Sequence, residues 1–93
     1  MTKKEAFYKD LKEKLDNNTE FPSDYLYKFI VPTTKNQVKE VEDVFLNQKK
    51  IITKRASKTG KNVSVSVLIR VKDSDEVIKN YYLVENIEGL ISL

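Results

Sequence analysis

The side chains of this chain that can do chemistry are almost all charged: 17 lysines and arginines and 14 aspartates and glutamates, with no histidine and no cysteine among 93 residues. That inventory excludes disulfides, thiol chemistry, zinc centres built on Cys or His, Ser-His-Asp or Cys-His catalysis and imidazole acid–base work. Lysine and carboxylate chemistry is what is left. The carboxylates Glu40, Glu42 and Asp43, and Asp73, Asp75 and Glu76, read as helix surface and helix N-terminal charge, where the macrodipole favours them, rather than as a catalytic or metal-binding pair. Gly60-Lys61 lacks the earlier glycine and the following Ser or Thr of a phosphate loop. No second group is spaced with Lys28 or with a carboxylate for acid–base work, so the expectation is a non-enzymatic protein without a cofactor.

The cations are unevenly spread. Residues 49–72 hold eight basic and no acidic side chains, whereas residues 1–48 hold eight and nine, and residues 73–93 hold one and five. A local field of this kind attracts anions: a small anionic metabolite, an acidic protein surface or a nucleic-acid backbone. Lys54, Arg55, Lys58 and Lys61 are the candidate interaction residues within it. Lys28 joins them as a cation in the middle of a strand pattern. Two plainer roles compete: lysines at a sheet edge discourage aggregation, which accounts for Lys49, Lys50 and Lys54, and Lys28 can snorkel to solvent.

The elements that must carry these groups follow from periodicity. Thr2 with Glu5 has capping-box spacing, and Phe7, Leu11 and Leu15 recur every four residues, predicting a helix over 3–16 that Asp16-Asn17-Asn18 stops. Tyr25, Tyr27, Phe29 and Val31 alternate with Leu26, Lys28 and Ile30, a strand that Pro32 ends. Thr34 with Gln37 repeats the capping spacing ahead of Val38, Val41, Val44 and Phe45, predicting a long helix to about Asn47. Residues 51–57 favour a strand, Lys58-Thr59-Gly60-Lys61 a tight turn, and Val63, Val65, Val67, Ile69 and Val71 the second arm of a hairpin. Asp73 with Glu76 caps a further helix bearing Val77, Ile78, Tyr81 and Val84, and Gly89 separates it from a short strand over 90–93.

This order predicts an N-terminal helical extension over 1–20 followed, over 21–93, by a ferredoxin-like α+β domain of order β-α-β-β-α-β: four antiparallel strands with two helices on one face. The aliphatic set of 63–71 and the ring-rich set of 25–31 then form the core. Leu26, Lys28, Ile30, Ser64, Ser66, Leu68 and Arg70 are left on the opposite face. RNA-recognition domains of this topology stack bases on exposed rings of the central strands, and none stands here, so nucleic-acid binding is the disfavoured alternative, resting on charge alone.

The stretch Phe21-Pro22-Ser23-Asp24-Tyr25-Leu26-Tyr27-Lys28-Phe29-Ile30 resembles the opening of the YbeD-like family of small bacterial proteins of unknown function. Ser57-Lys58-Thr59-Gly60-Lys61, Ser64-Val65-Ser66-Val67 and Gly89-Leu90-Ile91-Ser92-Leu93 are similar to it as well. The N-terminal helix departs from the shorter members. The resemblance implies a domain similar to the amino-acid-binding regulatory domains of metabolic enzymes, in which ligands sit near the loop after the first strand, here Val31-Pro32-Thr33-Thr34-Lys35-Asn36. That loop has no glycine to ease backbone approach.

The expectation is therefore a small regulatory or adaptor domain that binds a protein partner or a small anionic metabolite. Its alternative is electrostatic RNA or DNA binding through residues 49–72. No apolar run reaches the 18 residues of a membrane span or forms a signal-peptide core, so a cytoplasmic protein is expected. The last strand offers an edge for pairing unless the N-terminal helix covers it, which leaves both monomer and homodimer open.

Overall fold

The computed structural model describes residues 2–93. Seven elements follow one another: α1 (Lys3–Asn18), β1 (Ser23–Pro32), α2 (Gln37–Val44), β2 (Lys50–Ala56), β3 (Asn62–Val71), α3 (Ser74–Val84) and β4 (Ile91–Ser92). The strands form one antiparallel sheet in the order β2-β3-β1-β4, the ferredoxin-like arrangement that the alternation predicts. α2 and α3 cover one face, and α1 packs on α3.

Strand alternation decides which residues fill the core. Tyr27, Phe29 and Val31 of β1 and Val65, Val67, Ile69 and Val71 of β3 are buried, and Val41, Phe45, Val77 and Val84 close over them from the helix side. Full burial of each such side chain is worth about 1.5–3 kcal/mol before chain entropy is subtracted. The polar atoms inside this layer are paired: the Tyr27 hydroxyl donates to the Val77 carbonyl (2.8 Å) and accepts from Asn80 Nδ2 (3.2 Å).

Two of the three predicted caps form. Thr2 Oγ1 accepts from the Glu5 amide and Asp73 Oδ1 from the Glu76 amide, as the spacings require. Thr34 does not cap α2. Asn36 occupies that position without a side-chain bond, while the Gln37 carboxamide turns back to accept the Lys35 amide at 2.8 Å and reach Thr34 Oγ1 at 3.5 Å. The helix predicted to be long has eight residues, because the Phe45 and Leu46 amides tighten onto the Glu42 and Asp43 carbonyls and end it.

Two other boundaries shift outward. Pro32 is the last paired residue of β1, opposite Asn62, rather than a residue beyond the ladder. α1 passes Asp16 and stops after Asn18, whose side-chain amide donates to the Lys14 carbonyl.

α1 docks on its own domain through the half-buried Tyr8, Leu11 and Leu15, with ion pairs beside them. Lys4 bridges Glu85 (2.9 Å), Lys12 reaches Asp75 (3.0 Å) and the Ser74 hydroxyl, and the Tyr8 ring lies 4.7 Å from that of Tyr82. Leu15 touches the core, yet no residue of α1 is fully buried. The exposed ion pairs of this contact contribute little each, so partial burial of Tyr8, Leu11 and Leu15 supplies most of it.

Candidate functional site

The face of the sheet away from the helices is built by the other parity of the same strands. Register places Ile51, Leu68 and Leu26 side by side across β2, β3 and β1. The next row toward β4 is Thr53, Ser66 and Lys28, and the one after it Arg55, Ser64 and Ile30. On the other side of the apolar row, Arg70 stands opposite Asp24 and reaches its carboxylate at 3.4 Å. No helix covers these residues: Ile51 is 65 % and Leu26 48 % exposed, although the opposite parity of β1 and β3 is sealed over residues 27–31 and 65–71.

Two shallow concavities flank the apolar row. One, of about 320 Å³, is lined by Lys49, Lys50, Ile51, Leu68 and Arg70 with Asp24. The second, also about 320 Å³, is lined by Lys28, Thr53, Arg55, Ser64, Ser66 and Leu93, the last tied to the Lys28 carbonyl through its amide at 2.9 Å. Lys28 and Arg55 have no carboxylate partner among the described residues. Cations left unpaired beside exposed aliphatics give a surface that can hold an anionic, partly apolar ligand.

The five residues singled out from sequence do not share one surface. Strand alternation sends Lys54, opposite Val65, to the helix side, where it bridges Glu42 of α2 at 3.4 Å. Arg55, opposite Ser64, goes to the open face with Lys28. Lys58 and Lys61 flank Gly60 in the hairpin turn, whose positive φ of 72° suits glycine. The open face also recruits Ile51, which a parity reading of residues 50–56 against 62–71 would have found, and Lys49 just before β2, beside the Arg70 that alternation already places there.

The comparisons with known proteins can be set against this geometry. A family model described as "Protein of unknown function (DUF493)" matches residues 16–92. The chain belongs to that family. This is the YbeD family to which the sequence motifs point. No curated protein matches the chain. Among solved structures, this DUF493 chain is similar to the ACT domain of GTP pyrophosphokinase from Chlorobium tepidum, with 14 % identity and a TM-score of 0.55 over 76 % of this chain and 100 % of that one. At that identity the likeness shows a shared fold.

The loop after β1, where the resemblance places small ligands, is occupied by the DUF493 chain itself. Thr33 donates from its amide to the Lys61 carbonyl (3.0 Å) and from its hydroxyl to the Gly60 carbonyl (2.8 Å). Lys35 is held by Glu88 at 2.7 Å, a pairing that raises the lysine pKa and lowers that of the carboxyl. Gly89, at a φ of 74°, lies so close to Pro32 that an added Cβ would sit 2.8 Å from its Cγ. The glycine that permits close approach thus belongs to the chain's own C-terminal segment, which fills the space beside the loop.

A third cavity, of about 390 Å³, opens between α1, Tyr25, Tyr81 and Leu93, lined also by Phe7, Tyr8 and Leu11. The Tyr25 and Tyr81 hydroxyls meet there at 2.8 Å. Burial, followed by the bond to Tyr25, pushes the Tyr81 phenol above its ordinary range and keeps it neutral. Among the described residues no three acidic side chains gather round one point to hold a metal ion, and no helix is long and apolar enough to cross a membrane.

Proposed function

We propose that this chain is a non-enzymatic regulatory or adaptor domain that binds a protein partner on the open face of its sheet. The observation that carries the reading is the uncovered surface around Leu26, Ile51 and Leu68, bordered by the unpaired Lys28 and Arg55. Apolar centres with charged rims are the composition of protein interfaces. A family of unknown function on an ACT-like fold is consistent with a small regulatory domain. A small anionic metabolite would find its cations in the same two concavities. A nucleic acid would have to use the hairpin end at Lys58 and Lys61, without rings to stack on.

The test is affinity capture from the protein's own cell lysate, at low and high salt, with the natural chain, a Leu26→Asp/Ile51→Asp variant and a Lys58→Glu/Lys61→Glu variant. The expected result is a stoichiometric protein that survives high salt, is lost with the first variant and is kept by the second. Capture of RNA alone, lost as salt rises, overturns the reading in favour of electrostatic nucleic-acid binding. A partner kept by the open-face variant overturns the placement.

A further inference from the structure

The open face has a shape and charge pattern more particular than a general protein contact. Its apolar row is straight: Ile51, Leu68 and Leu26 occupy matched positions on three neighbouring strands, and therefore span two inter-strand spacings, about 9.6 Å. An α-helix rises about 10.5 Å over seven residues, so side chains at i, i+3 or i+4, and i+7 recur at nearly the interval of these strands. A helix laid across the sheet can place one apolar side chain against each of the three aliphatics. An extended segment rises about 6.7 Å between side chains on one face and falls out of step with the row at its second contact.

Charge decides the rest. The concavity on one side of the row holds Lys49 and Arg70, and that on the other holds Lys28 and Arg55; Lys50, opposite the buried Ile69, turns to the helix side and reaches the Leu46 carbonyl. The one acidic side chain lining either is Asp24, already engaged with Arg70. Lys28, Lys49 and Arg70 stand two positions along their strands from the row, about 6.7 Å, and a helix with its side chains is about 5–6 Å in radius, so both flanks of a helix seated on the row overhang these three cations; Arg55, four positions from Ile51 and about 13 Å away, stands one row further out and meets the helix through its long side chain. A second copy docked face to face about a two-fold axis would bring lysine and arginine against lysine and arginine, which repels.

Resting on the open-face reading above, we infer that this surface takes an acidic amphipathic helix of a partner protein, its apolar stripe on Ile51, Leu68 and Leu26 and its carboxylates on both flanks paired with Lys28 and Arg55 on one side and Lys49 and Arg70 on the other. The chain's own helices are already placed: α2, which is acidic and amphipathic, packs Val38, Val41 and Val44 on the core, and α3 buries Val77 and Val84 there. α1 carries lysines throughout and is engaged with α3.

The probe is a fluorescein-labelled 18-residue helical peptide with leucines at i, i+4, i+7 and i+11 and glutamates on both sides of that stripe, titrated into the full chain by anisotropy, with backbone amide shifts mapped by NMR. Saturable binding is expected, with shifts centred on residues 26–28, 51–55 and 66–70. Lys28→Glu/Arg55→Glu should weaken it by about tenfold or more, and should bind a lysine-flanked peptide better than the natural chain does. Raising salt from low to several hundred millimolar should weaken binding several-fold as the flanking pairs are screened. Circular dichroism checks that the variant folds, and Leu26→Ser supplies an independent, charge-neutral disruption.

Absence of binding overturns the helix proposal, as does binding indifferent to the charge-swapped peptide or shifts centred on the hairpin turn. If capture nevertheless yields a salt-stable protein dependent on Leu26 and Ile51, the open-face function stands and only its occupant is wrong. Loss of both results removes the function with it. A concentration-dependent dimer abolished by Ile51→Asp overturns the helix in favour of a second copy.

Discussion

The two faces of this sheet are made by the same strands, residue by residue in alternation, and they have opposite physical characters. On the helix side, Tyr27, Phe29, Val65 and Val67 have no exposed surface. One residue away along each strand, Leu26, Lys28, Ser64 and Ser66 face outward with nothing above them. The inward set is dense in rings and β-branched side chains, and its polar atoms are all paired. The outward set combines isolated aliphatics, hydroxyls and unpaired cations. The contrast separates what stability needs from what it leaves free, so within the central strands β1 and β3 a substitution's effect on folding should be set chiefly by parity.

The largest effect expected from that contrast is at Phe29, which packs among Tyr27, Phe45 and Tyr81. Phe29→Ala should cost about 3–5 kcal/mol, the range for truncating a buried ring whose cavity collapses incompletely. A domain of this size is held by roughly 5–14 kcal/mol, so the variant should unfold at a much lower urea concentration with an unchanged slope. A loss below about 1 kcal/mol would mean that the core is not packed as described.

A smaller effect belongs to the buried phenols. Burial is the main cause that pushes the Tyr27 hydroxyl above its ordinary range, and the Asn80 bond opposes it only in part. Tyr81 is raised by burial and by Tyr25. The folded state thus holds these protons more tightly than the unfolded chain, whose tyrosines titrate near 10. Stability from both groups is complete below that value and is lost as pH rises above it toward the folded values. Alkaline unfolding should therefore set in above about pH 10, with absorbance of tyrosinate from Tyr27 and Tyr81 growing only as circular dichroism falls. Tyr27→Phe should flatten that alkaline loss. At neutral pH it should cost about 1–3 kcal/mol, because the Asn80 amide is left without its partner inside the core.

How much of this was legible in the chain depends on how local the cause is. Period-two alternation at 25–31 and 63–71 marks the core because burial on one face demands it, and Asp73 with Glu76 marks a helix start because the cap is made within four residues. The order of elements then leaves few topologies. α2 was misread because Thr34 and Gln37 have capping spacing, yet Gln37 is buried and its carboxamide satisfies the loop instead. Lys54 and Arg55 are neighbours in a basic run, and only the pairing of β2 with β3 shows that they lie on opposite faces. The apolar row is less visible still: Ile51, Leu68 and Leu26 come from three separate segments and meet through register. A site assembled by long-range pairing leaves no short motif.

The smallest effect is the sharpest test of the contrast. Leu26→Ser and Ile51→Ser each remove an aliphatic side chain from the same strands that hold the core, but from a face where about half or more of the residue already meets water. Only about half of Leu26 and a third of Ile51 is covered in the folded chain, no cavity forms, and the hydroxyl is solvated, so each variant should cost about 1 kcal/mol, well below the loss at Phe29. Serine's weaker strand preference contributes a part of that. Urea midpoints of the two variants should fall only slightly below that of the natural chain while binding to the open face is lost. A loss of about 2.5 kcal/mol or more at Ile51, on the face away from the helices, would show that this face is covered in the free protein, by another copy or by its own chain. Nearly retained midpoints with lost binding would leave the outward parity almost free of structural duty, which is the condition a docking surface has to meet.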